Sequence, residues 1–60
     1  MNEKKRIIIH NAVYTAICFG IDVKKLVEKE LHDSKMNMDK QSILMMNREI
    51  INVVRLLSEE

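Results

Sequence analysis

Apolar residues recur along the last third of the chain at Ile43, Met46, Ile50, Val53 and Leu57, in steps of 3, 4, 3 and 4. That spacing holds one apolar line on one side of a helix, and it predicts a helix from about 39 to 58 with a dimerisation or partner-binding stripe. A second line, Leu44, Ile51 and Val54, widens the apolar face beyond a strict coiled-coil seam. Two lines suit two neighbours, and the division expected is that one meets the second helix within the chain while the other meets a second subunit.

Upstream, Val23, Leu26, Val27 and Leu31 form a narrower line at helical spacing. Lys24, Lys25, Glu28, Lys29, His32 and Asp33 fill the other sides, so a surface helix is predicted over about 22–35. Its boundaries follow from local chemistry. Gly20 suits the left-handed residue that closes a helix. Asp22 then serves as an N-cap, with Ile21 and Leu26 placed as a hydrophobic staple. Asp39 repeats this arrangement, with Met38 and Ile43 as the staple, and Lys35-Met36-Asn37-Met38 reads as the intervening turn.

The first nineteen residues admit two readings. As a helix over about 3–19, Ile9, Val13, Ala16, Ile17 and Ile21 share one face, which Ile8, Ala12 and Phe19 broaden. Only Asn11, Thr15 and Cys18 mark a solvent side, and a helix apolar around most of its circumference belongs in the middle of something. Against this, three consecutive isoleucines favour a strand. Lys4, Lys5 and Arg6 would also sit at the positive end of a helix dipole, and Asn11 could cap a helix that starts later. The reading adopted is all-α, three short helices at about 3–19, 22–35 and 39–58 in one domain over 1–60, associating as a homodimer. The alternative is a ribbon-helix-helix-like fold with an N-terminal strand at 4–9.

Size gives the reason for association. The chain has 60 residues and a mass of 7.1 kDa, and a domain this small buries only about 60% of the surface its unfolded chain exposes. Disulfides, metals or oligomerisation are the usual remedies. Cys18 is the sole cysteine, which excludes an internal disulfide and a cysteine-rich metal site. With Tyr14 and Phe19 the only aromatic residues, the core must be aliphatic.

Charge and hydropathy narrow the setting. A net charge of +1 and a pI near 7.9 give no global attraction to nucleic acid. Lys4, Lys5 and Arg6 are the candidate phosphate contacts, set against a solvated N-terminus. A basic start before Ile7-Ile8-Ile9 superficially resembles a signal peptide, but His10, Asn11 and Thr15 interrupt the apolar run and no small-residue cleavage motif follows. The run is also too short and too polar to cross a bilayer. A cytoplasmic protein with no membrane partner is expected. The abundance of Ile, Lys, Asn and Met matches an AT-rich bacterial or phage genome.

Candidate chemistry is sparse. His10 and His32 have no second ligand at a diagnostic metal spacing, and Glu28 with His32 reads as an exposed ion pair. Cys18 has no basic neighbour in sequence to activate it, and Gly20 alone makes no phosphate loop. No catalytic, cofactor-binding or metal residue is therefore assigned, and an enzyme is not expected. Met36, Met38, Met45 and Met46 crowd one region, where adaptable side chains could line a groove for a partner or fill the core. Arg48, Glu49, Asn52 and Arg55 read as a solvated face.

Two stretches resemble known families. Arg6-Ile7-Ile8-Ile9, followed by Gly20-Ile21-Asp22-Val23-Lys24-Lys25-Leu26-Val27, resembles the strand, turn and second helix of ribbon-helix-helix repressors and the antitoxins built on them. The resemblance implies a DNA-reading strand paired across a dimer, with the third helix free to bind a toxin. The stretch between that strand and Gly20 is at least one helical turn shorter than the family usually has. Ile43-Leu44-Met45-Met46 with Asn47-Arg48-Glu49-Ile50-Ile51 is similar to the second helix of small aspartyl-phosphate phosphatases that control sporulation. There the position of the catalytic acid falls on Ile51 and that of the signature serine on Asn47, so this likeness implies a helical hairpin without the activity.

The function expected is non-catalytic: a small regulatory protein that dimerises, with helix one central and helix three at or near the subunit interface. It would act as an adaptor, inhibitor or co-regulator of a bacterial transcription regulator or signalling protein. The alternative is a DNA-binding repressor or antitoxin of the ribbon-helix-helix type.

Overall fold

Asp22 and Asp39 set where the second and third helices begin. In the computed structural model, which describes residues 3–59, Asp22 accepts a hydrogen bond from the Lys25 N–H at 3.1 Å and Asp39 one from the Ser42 N–H at 2.9 Å. Each carboxylate thus satisfies a backbone donor that the first helical turn leaves unpaired. The helices are α1 (Glu3–Phe19), α2 (Val23–Asp33) and α3 (Lys40–Ser58). The described residues contain no strand, and residues 4–9 lie within α1.

The helix ends are closed by a common device. Gly20 takes φ +69°, and the Ile21 N–H returns to the Ala16 carbonyl at 2.9 Å. At the end of α2 the left-handed residue is Lys35, at φ 60°, with the Met36 N–H bonded to the Leu31 carbonyl at 2.8 Å. Both are Schellman closures. The second places a Cβ in a conformation that disfavours it, which no residue type at that position advertised.

The isoleucine triplet is helical because its members face different surroundings. Ile9 is fully buried with Ala12, Val13 and Ala16, Ile8 is half-buried and Ile7 is exposed. Burying the Ile9 row gains about 1.5–3 kcal/mol per large side chain, against a few tenths lost to β-branching in a helix. The basic residues are accommodated as well. Arg6 pairs with Glu3 one turn earlier, and Lys5 folds back onto Asp39 at the start of α3, 3.3 Å away.

α1 is central, with α2 and α3 both packed on it and little on each other. The core joins Ile9, Ala12 and Val13 of α1 to Val27 and Leu31 of α2 and to Met46 and Val53 of α3. The smallest Cα extent of the molecule is 16 Å, about what two helix layers 8–10 Å apart require. One side of α1 therefore has no layer over it.

Candidate interaction surface

The heptad seam of α3 lies mainly on its inward side. Met46 and Val53 are buried, Ile50 and Leu57 are half-buried against the same core, and only Ile43 is exposed. Spacing revealed the line but not what covers it. In a single chain the cover is largely α1, where α2 had been expected to meet one of the two lines.

The second line faces out. Leu44 and Ile51 keep 69% and 60% of their surface, and Val54 is also exposed. Arg48 and Arg55 lie beside this row on exposed positions, and Lys40 stands at its start. From Lys40 to Ser58 the only carboxylate is Glu49, which is buried. The outer face of α3 is thus apolar with a cationic margin and no exposed acid.

Glu49 is the main departure from the sequence reading, which placed it on a solvated face with Arg48, Asn52 and Arg55. Its Oε1 lies 2.6 Å from Nδ1 of His10, so the imidazole of α1 and the carboxylate of α3 tie the two helices together. Burial of the carboxylate requires such a partner, because an uncompensated charge away from water is costly. The signal was present in the spacing. Glu49 falls three residues after Met46 and four before Val53, on the seam's own side of the helix. His10 also stands beside Tyr14, ring centroids 6.4 Å apart.

The candidate phosphate contacts are dispersed. Lys4 is exposed, Arg6 is exposed and engaged by Glu3, and Lys5 is buried with its ammonium directed to Asp39. Asp39 is consequently well satisfied. The Ser42 N–H, then the Ser42 hydroxyl and Lys5, hold its carboxyl below the ordinary carboxylate range. The Ser42 hydroxyl also reaches the Asn37 carbonyl at 3.1 Å, so its one proton is shared between two acceptors.

The methionines do not gather into one groove. Met46 joins the core and Met36, Met38 and Met45 pack against it half-buried; Met45 also lines a hollow with Gln41, Leu44 and Arg48. Met36 and Met38 line an open concavity of about 500 Å³ with Lys25, Glu28, Lys29, His32 and Asn37. Among the described residues no group of three or more His, Cys, Asp or Glu side chains is placed to hold a metal ion, and no helix is long and apolar enough to cross a membrane. Searches against protein-family models, curated proteins and solved structures return no match to this chain.

Proposed function

We propose that this chain is a non-catalytic regulatory protein of a bacterium or phage that dimerises in the cytoplasm and binds another protein, as an adaptor, inhibitor or co-regulator of a transcription regulator or signalling protein. One observation carries the reading. The outer row of α3, Leu44, Ile51 and Val54, stands in water beside Arg48 and Arg55, although the same helix buries its other apolar line. An apolar row at helical spacing with charged margins is the form in which helices recognise one another. The cationic margin suits a partner helix that carries carboxylates beside its own apolar residues.

The test is affinity capture from a low-GC bacterial host with the wild-type chain and with Leu44→Asp/Ile51→Asp, followed by a binding measurement on the purified captured protein. The expected result is a partner bound by wild type and weakened at least tenfold in the double variant. A captured protein that binds both forms equally would refute the assignment of this face. Salt-dependent binding to duplex DNA, lost when Lys4, Lys5 and Arg6 are changed to alanine, would point instead to the DNA reader.

A further inference from the structure

α1 carries no Asp, Glu, Lys or Arg from Ile7 through to the turn residue Ile21. Half of that stretch is accounted for by the core, but the other side of the helix has no cover. Ile7, Tyr14 and Ile21 keep 48%, 39% and 48% of their surface, and Asn11, Thr15 and Cys18 are exposed between them. Within α1, Ile7, Asn11, Tyr14 and Cys18 follow one another in steps of 4, 3 and 4, the spacing of a packing seam. An outward helix face is ordinarily the charged one, and after its first turn α1 carries no Asp, Glu, Lys or Arg.

We infer that this uncharged face of α1 is where a second copy of the chain docks, the two α1 helices lying antiparallel with Tyr14 at the twofold axis. The inference rests on the dimer reading above and names the surface responsible. Charge selects a second copy as the occupant, and area and shape accommodate it. A contact between identical faces brings like residues together, and from Ile7 to Cys18 this line of α1 carries no charge to repel its own copy, as Arg48 and Arg55 would if two α3 faces met. The chain exposes 4537 Å², roughly 450 Å² more than size scaling gives for a folded monomer of this mass, and a standard-size interface takes about 800 Å² from each partner. A concavity of about 180 Å³ lined by Asn11, Ala12, Thr15, Leu26 and Glu30 adjoins the seam and offers a hole for a side chain of the second copy.

The direction follows from the ends. Parallel helices would set Lys4 against its own copy. Antiparallel helices bring Lys4 to the carbonyl end of the other α1, where the dipole is negative and Asp22 lies just beyond. The two Cys18 residues are separated by about 12 Å along the axis, too far for a disulfide.

Sedimentation of the whole chain, with circular dichroism as a check on folding, tests this. Wild type is expected to be a dimer at micromolar concentration, and Tyr14→Arg a folded chain whose dimer dissociation constant rises about a hundredfold or more, because the new charge faces itself across the axis. Tyr14→Cys/Cys18→Ser is expected to cross-link on mild oxidation, whereas wild type with Cys18 is not; this arm reads the geometry even if Tyr14→Arg fails to fold. A dimer that survives Tyr14→Arg but is lost in Ile51→Arg would overturn the α1 assignment while leaving the dimer reading intact. Efficient Cys18 cross-linking in wild type would overturn the antiparallel direction. A wild-type chain that sediments as a monomer would overturn both.

Discussion

α3 and α1 handle the same problem differently. α3 sorts most of its residues: Met46 and Val53 go inside, Arg48, Asn52 and Arg55 go outside, and the row Leu44, Ile51 and Val54, together with Ile43 and Leu56, crosses that division. α1 does not sort. Its inner side is Ile9, Ala12, Val13 and Ala16, and its outer side is Ile7, Tyr14 and Cys18 with no charge among them. On the outer face of α3, arginines frame the exposed apolar row. The outer face of α1 has no such frame. A helix in the middle of a three-helix chain should be covered on all sides, and this one is covered on half of them.

The sharpest way to break that comparison is to shorten two isoleucines two positions apart. Ile9→Ala removes a fully buried side chain and is expected to cost about 2–5 kcal/mol, enough to unfold most of a domain this small. Ile7→Ala on the opposite side is expected to leave the core intact and to stay within about 0.5–1 kcal/mol in a dilute, monomeric sample. Thermal melts by circular dichroism read both, and equal losses would show that α1 has no inner and outer side. Next in size is the tie between the two helices. Glu49→Ala leaves the imidazole without its carboxylate and should cost about 1–3 kcal/mol, whereas Arg48→Ala, its exposed neighbour, should lie within about 0.5 kcal/mol. Comparable effects would return Glu49 to the solvated face.

The two helix closures provide a smaller pair with opposite signs. Gly20→Ala meets nothing within 4 Å, so its cost is conformational alone, about 1–2 kcal/mol. Lys35→Gly relieves the same strain and should raise the melting temperature by a similar free energy, less the extra freedom glycine gives the unfolded chain. The smallest effect concerns acid. The Asp39 carboxyl is held below its ordinary value of 3.8. Its contribution is therefore complete above that pH and is lost as pH falls through the lower, folded value. In Asp39→Asn the part of the acid destabilisation that sets in below about pH 3.8 should be reduced, as measured by melting at stepped pH.

Much of the fold was legible because its boundaries are chemical. Asp22, Asp39 and Gly20 each have one well-defined local use, and each is used that way. The placement of α1 at the centre also followed from its composition. What could not be read was partnership across the chain. The seam of α3 is a real apolar line, but periodicity carries no information on whether an internal helix or a second molecule covers it. Lys5 and Glu49 were misplaced for a related reason. A charged residue in a sequence reads as solvent-facing until its counter-charge is known, and here the partners lie 34 and 39 residues away. Lys35 carries no signal in the sequence, because a left-handed residue other than glycine is determined by the bonds that close around it and not by its own preference.

The order of the helices has a consequence for how the molecule comes into being. α1 and α2 meet across one tight turn, so their contacts close a short loop. α3 reaches α1 only after the long separations that join Lys5 to Asp39 and His10 to Glu49, and its docking bears the greater loop-closure entropy. Until α3 docks, Ile9 and Val13 lack the cover that Met46 and Val53 give them, so α1 then has apolar residues uncovered on both its inner and its outer side.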